Sequence, residues 1–186
     1  MPPKVKVSSE DIVNAAVELV RNQGADALNA RSLAEVLNCS TQPIFSNFNS
    51  MDEVKEAVLE RAIFICNEYT AREVEAGLYP MYKASGMAYI RFAKEEPELF
   101  KLLYMRDRKG ELLTKEASLF DQMESIVQGN TGLESDKARL FHLEMWAFVH
   151  GIAVMFASGY LDLDWELVSQ MLTDSYLGLK KQYETE

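Results

Sequence analysis

The stretch ARSLAEVLNCSTQPIFSNF, Ala30 to Phe48, decides how this chain reads. Asn29 stands immediately before it and is a good N-cap, and Leu33, Ala34 and Leu37 fall on one face of the helix that follows. Asn38 and Cys39 break that helix, and Ser40 is placed to cap a second, short one from Thr41 to about Asn47. Pro43 lies in the first turn of the second helix, where a missing N–H does no harm. Two short helices joined by a tight turn can present the second to the major groove of DNA. The segment therefore predicts a helix-turn-helix and points to DNA rather than to catalysis.

Outward from this segment the chain predicts helices throughout. Ile12, Val13, Ala16, Leu19 and Val20 make the apolar stripe of a helix from about Ser9 to Asn22, closed by Gly24. Ser50 caps a long helix, with Glu53 spaced for a capping box, that reaches about Glu75 before Gly77. It leaves the N-terminal bundle for the next domain and is suited to carry a mechanical signal. Further helices are expected near Tyr82 to Lys94, Pro97 to Met105 and Leu112 to Val127. Gly129 to Gly132 reads as a loop, and two long helices follow, Ser135 to Ala157 and Trp165 to Tyr183, the last capped by Asp164. The fold class is all-α: a three-helix helix-turn-helix domain over 1–52 and a larger helical domain over 53–186. No internal repeat or low-complexity segment interrupts it.

The 186 residues are 48% hydrophobic, ample for a core, and carry a formal net charge of -10. The first 50 residues set Lys4, Lys6, Arg21 and Arg31 against Glu10, Asp11, Glu18, Asp26 and Glu35. That balance excludes indiscriminate nucleic-acid binding, so any DNA contact rests on a few placed groups and helix N-termini. Cys39 and Cys66 are too few for a disulfide framework. The N-terminus MPPKVKVSSED has no apolar core of a signal peptide. The longest apolar stretch, Ala147 to Leu161, holds His150, two glycines and Ser158, and is shorter than the ~20 residues that span a bilayer. A soluble, cytoplasmic protein that contacts no membrane is expected.

Two separated segments resemble the TetR family of transcriptional regulators. In GADALNARSLAEVLNCSTQPIFSNFNSMDEV, Gly24, Asn29, Arg31, Leu33, Ala34, Phe45 and Phe48 take the places of the family's glycine, cap, R-x-φ-A helix and aromatic-x-x-Phe recognition helix. AYIRFAKEEPELFKLLYM, followed by WAFVHG at Trp146 to Gly151, looks like the branch with a Trp-His-Gly C-terminal domain. Three places depart from the pattern. Phe45 replaces a frequent Tyr, Met51 a frequent Lys, and Ser40 or Thr41 a frequent Lys. Each departure removes a phosphate contact and flattens the salt dependence of DNA binding.

The DNA-binding candidates are Asn29, Arg31, Thr41, Gln42, Phe45, Ser46 and Asn47. Gln and Asn can bond adenine bidentately, and Ser or Thr can reach bases or phosphates, against the alternative of a solvated polar surface. Arg31 is open between a phosphate contact and a surface ion pair; Ile44 and Phe48 read as core. The larger domain is dense in aromatics and methionines, among them Met87, Tyr89, Phe120, Met123 and Phe156. Such residues fill helix cores and also line apolar pockets. The resemblance implies an effector pocket there, with Phe92, Tyr104, Trp146 and Phe148 as candidate contacts. His142 and His150 lie eight apart without HExxH, so zinc is not expected; His150 reads as a packing histidine, with Gly151 permitting close helix approach. Cys39 reads as a buried, inert thiol. No phosphate-binding glycine loop and no nucleophile elbow occurs, and no catalytic residue, metal or cofactor is implied.

The resemblance implies a repressor that binds a palindromic DNA operator as a homodimer through its last two helices and is released by a small apolar effector. Two alternatives stay open: a ligand-binding or protein-interaction module whose helix-turn-helix has lost most DNA affinity, and an all-helical enzyme.

Overall fold

Ser8 opens the first helix, α1 (Ser9–Gln23), in a computed structural model that describes residues 7–106 and 114–184, with 114–120 as backbone only. Its Oγ accepts the Asp11 N–H at 3.1 Å while the Asp11 carboxylate accepts the Ser8 N–H at 2.9 Å. This capping box adds to the start expected at Ser9 and satisfies two otherwise orphaned donors. Gly24 ends α1 with φ +81°, a region L residues rarely adopt, and a carboxylate oxygen of Glu98 would stand 3.1 Å from any Cβ placed there. A 3-10 turn, Ala25–Ala27, then leads to α2 (Ala30–Val36) and α3 (Gln42–Asn47).

Asn29 caps α2 as expected: its Oδ1 accepts from the N–H groups of Arg31 and Ser32 at 3.0 and 3.1 Å. Ser40 does not cap α3. The cap position belongs to Thr41, already in the helical region, and no side chain bonds there. Pro43 needs no partner for a donor in that first turn, so the short helix starts without one. Ser50 accepts the Glu53 N–H of α4 (Met51–Ala76) at 3.2 Å, but Glu53 reaches back to the N–H of Asn49, not of Ser50. The box is thus one residue longer than its usual form.

The remaining helices are α5 (Met81–Glu95), α6 (Pro97–Tyr104), α7 (Thr114–Thr131), α8 (Ser135–Ala157) and α9 (Trp165–Glu184). The helix expected from Leu112 begins outside the described residues, and the Phe120 side chain lies outside them too. The loop expected at Gly129 is absent. Helix α7 runs through it to Thr131, because Gly132 at φ +73° is the residue that reverses the chain, its N–H closing on Gln128 at 2.8 Å. Asp164 caps α9 as read, accepting the Glu166 N–H at 2.8 Å.

The chain divides into two compact units, Met1–Asn67 with Glu96–Arg106, and Glu68–Glu95 with Asp107–Glu186. In the first, Ile12, Ala16 and Val20 of α1 bury with Leu33, Ile44, Val54 and Val58, and α6 adds Leu99 and Phe100. Arg21 and Glu96 tie α1 to the start of α6 by a two-pronged ion pair, Nε–Oε2 2.8 Å and Nη2–Oε1 2.7 Å, a geometry that holds the guanidinium firmly protonated. Helix α6 is remote in sequence from α1 yet belongs to its core.

In the second unit α5 packs along α8 and α9. Gly86 makes this possible: an added Cβ would stand 3.1 Å from Leu172 and 3.5 Å from Val149. Gly151, expected to allow close approach, has nothing within 4 Å of such a Cβ, so within the chain that role belongs to Gly86. A second core cluster joins Val127, Ala138, Phe141, Met145 and Tyr183. Helix α8, at 23 residues, is long and apolar enough to cross a membrane by length and composition. The apolar window read from Ala147 started too late, since the helix begins at Ser135. Much of α8 is nevertheless core: Phe141, Met145, Ile152 and Ala153 are among its buried residues.

Candidate nucleic-acid interface

The turn between α2 and α3 buries Leu33, Ala34 and Ile44 and leaves the rest of α3 outward. Thr41, Gln42, Ser46 and Asn47 are exposed, as is Phe45, whose ring is 49% accessible. An aromatic ring so open on a six-residue helix does not serve its own core. Phe48 is half-buried, not fully core. Cys39 is half-exposed instead of buried; the buried thiol is Cys66, pushed up in pKa by burial despite a 3.6 Å contact with the Tyr104 hydroxyl.

The candidates differ in what they have left to offer a partner. Gln42 and Thr41 make no side-chain hydrogen bond among the described residues. Ser46 donates back to the Gln42 carbonyl at 2.8 Å. Asn47 donates to the Pro43 carbonyl at 2.8 Å and to the Val7 carbonyl at 3.3 Å. Asn29 spends its acceptor on the α2 cap and donates to the Ala27 carbonyl at 3.2 Å.

Charge is scarce around them. In the first unit Arg21 pairs with Glu18 and Glu96, Lys55 with Asp52, Arg61 with Glu10 and Lys101 with Glu98. Arg31 is exposed and has no ion-pair partner among the described residues, so the ion pair weighed for it from sequence is not formed there. The first turn of α4 is acidic, with Asp52 and Glu53, and disfavours a phosphate at its N-terminus.

The effector candidates fall in both compact units. Tyr104 belongs to the first unit, against Phe100; Phe92, Trp146 and Phe148 belong to the second. Phe92 is fully buried, edge-on to Tyr69 at 5.5 Å. Trp146 is 39% exposed, and Phe148, two residues on, points to another side of α8.

Sequence reasoning missed how the histidines are held. The Tyr82 hydroxyl lies 2.9 Å from His142 Nδ1, and Tyr89 stands at the same distance from His150 Nδ1. The partners are seven and eight residues apart, about two turns, so α5 and α8 run side by side in the same direction. Trp146 stacks on the His150 ring at 5.0 Å and 13°. With neutral imidazoles protonated on Nε2, both phenols donate. Burial lowers the pKa of each histidine, Glu124 opposing it weakly at His142, and raises that of Tyr82. A folded-state pKa below the unfolded one makes the unfolded chain bind more protons, so stability is full above about pH 6.5 and falls as pH drops through that value. Melting temperature should therefore decline from pH 7.5 to 5.5, and less steeply in His142→Asn and His150→Asn; equal slopes in all three proteins would contradict this account.

The missed ion pairs have the same cause. Glu73 is buried against Arg91, Nε–Oε2 3.2 Å, while the Arg91 guanidinium lies over Trp165 at 4.5 Å. Their sequence separation leaves no local signal. Among the described residues no group of three His, Cys, Asp or Glu side chains is placed to hold a metal.

Among the described residues an all-helical architecture, with a helix-turn-helix whose second helix is exposed and a second helical unit after it, defines the class. Residues 82–175 match the family described as tetracyclin repressor-like, C-terminal domain. The chain belongs to the TetR family of transcriptional regulators. It is similar to YobS of Bacillus subtilis strain 168, described as an uncharacterized HTH-type transcriptional regulator, at 19% identity over 182 residues, 92% of this chain and 90% of that protein. Two solved structures from Rhodococcus sp. RHA1 share the fold. One, a protein of unknown function, aligns with TM-score 0.74 and 23% identity over 98% of each chain. The other, a TetR-like transcriptional regulator, aligns with TM-score 0.67 and 15% identity over 100% of this chain and 98% of its own.

Proposed function

We propose that this regulator is a cytoplasmic repressor that binds a palindromic operator as a homodimer and leaves it when a small apolar effector binds. The observation that carries the reading is the pair Gln42 and Arg31: an amide at the start of an exposed helix and a cation on the helix before it, neither with a side-chain partner among the described residues. The amide suits adenine, the cation a phosphate. Residues 1–52 are the DNA-binding part and 53–186 the effector and dimer part. This division differs from that into compact units because α4 is one helix and α6 packs with α1. Displacement of α6 by an effector would thus act on α1 directly.

The dimer reading rests on α8 and α9. Leu140, Leu143, Ala147 and Met155 are exposed along one side of α8, and Gly151 lies between them with open space above it. On α9, Leu167 and Leu177 are exposed and Gly178 is likewise open. A second copy would cover this face as a four-helix bundle. The effector reading rests on the aromatic content of the second unit, with Phe92 and Phe148 better placed than exposed Trp146 for an enclosed ligand.

Selection of the full chain on random duplex DNA tests the reading. A palindromic consensus is expected, and Gln42→Ala should lose ~1–3 kcal/mol on it with relaxed preference at one base pair per half-site. No enrichment at low salt would favour the interaction-module alternative.

A further inference from the structure

Helix α3 buries Ile44 completely and turns the next residue outward, so that Phe45 is 49% exposed. At about 100° per residue, Gln42, Phe45 and Ser46 share the side of the helix away from Ile44, with Phe45 about 60° from Gln42. Ser46 and Asn47 turn back on the carbonyls of Gln42 and Pro43, at 2.8 Å each, while Gln42 makes no side-chain hydrogen bond among the described residues. Among the same residues the Phe45 ring meets no other aromatic ring and no cation. The outward side of α3 therefore offers an open amide and, beside it, an open apolar ring. A phenyl ring has no donor for a phosphate, and its exposure to water forgoes the free energy of burying an aromatic surface. On the major-groove edges of DNA the apolar group is the 5-methyl of thymine; the other groups presented there are hydrogen-bond donors and acceptors.

We propose that Phe45 is a specificity-determining residue that packs on the 5-methyl group of a thymine, beside the base pair read by Gln42. The inference rests on the DNA-binding reading above and deepens it: without the hydroxyl that a tyrosine would give to a phosphate, this position changes from backbone contact to base contact. Duplex DNA is the occupant because the ring shares its side of α3 with Gln42, whose amide suits adenine, and follows the helix that carries Arg31. An apolar protein surface laid on the ring would instead cover the Gln42 amide without giving it a partner. Each half-site should accordingly hold both an adenine and a neighbouring thymine.

The test is binding of the full chain to its selected operator, by fluorescence anisotropy, with deoxyuridine in place of each thymine in turn. Deoxyuridine keeps the hydrogen-bonding edges of thymine and lacks only the methyl. At one position per half-site the wild type should bind about fourfold more weakly, the loss for one buried methyl-sized group, and about fifteenfold more weakly when both half-sites are changed. Phe45→Ala should bind the thymine and deoxyuridine operators alike, with the wild-type slope of log K against log salt, since no phosphate contact is lost. A lowered slope in Phe45→Ala, or a deoxyuridine penalty that persists in it, would overturn the assignment. So would a selected half-site without thymine, or a wild type indifferent to deoxyuridine at every thymine; these two results need no variant and leave the DNA reading intact. Failure of the wild type to select any duplex at low salt would instead overturn the reading on which the inference depends. Phe45 lies outside the core, and unchanged melting of Phe45→Ala separates lost contact from lost fold.

Discussion

Phe141→Ala should cost ~3–5 kcal/mol of stability, the range for removing a large aromatic side chain from a packed core. The ring is fully buried. It stands edge-on to Tyr176 at 5.2 Å and 78°, and 5.9 Å from Tyr183. The neighbours that remain, Val127, Ala138 and Met145, sit on α7 and α8, whose backbones cannot close on the vacancy without leaving other contacts. For a chain of this length each kcal/mol moves the melting temperature by ~2–4 °C, so a fall of roughly 6–20 °C is expected by calorimetry. A fall of under ~2 °C would show that this cluster is not a structural centre of the second unit.

Leu143→Glu and Leu177→Glu, each alone, should convert the protein from dimer to monomer. Both leucines are exposed in the isolated chain, 41% and 55%, so neither change disturbs its own core. A two-fold interface meets each substitution twice, and burying an unpaired polar or charged group costs about 2 kcal/mol or more per site. Together that is about 4 kcal/mol, near a thousandfold in the dissociation constant. Sedimentation at micromolar concentration reads the result, and operator affinity should fall with it, since two half-sites are then held by separate molecules. Leu172, an apolar residue of the same helix, is 3% exposed and packed on Gly86. Leu172→Glu should therefore unfold the second unit instead of dissociating the dimer. Dimers that survive both exposed substitutions, or a monomeric wild type, would remove the interface from this face.

Local signals carried far into this chain because helices are built from local interactions. Asn29, Pro43, Ser50 and Asp164 mark helix starts that the structure keeps, and of the stripe Ile12, Val13, Ala16, Leu19 and Val20 all but half-buried Val13 lie on the buried face of α1, which also holds Val17. The helix-turn-helix was legible for that reason, and with it the exposed position of Gln42. Where two punctuation residues competed, local reading erred: Gly129 stays helical because the turn belongs to Gly132, and Ser40 yields its place to Thr41.

Which groups remain available for function was not legible, because availability depends on partners distant in sequence. Arg21 and Arg31 look alike in the sequence, yet a carboxylate 75 residues away occupies the first and, among the described residues, none occupies the second. Asn47 and Gln42 both carry an amide able to bond adenine, yet the first is turned to the Val7 carbonyl. The close approach expected at Gly151 falls instead at Gly86, which no sequence signal singled out, because Leu172 of α9 and Val149 of α8 both pack there. Helix type, caps and the apolar face of each helix were determined by the sequence itself, through hydrogen bonds and periodicity a few residues in range. The pairing of charges, the seating of His142 and His150 on tyrosines, and the assignment of Leu172 to the core and Leu143 to the surface were decided only by tertiary structure, because a side chain's desolvation and its partners are set by which helices pack against it.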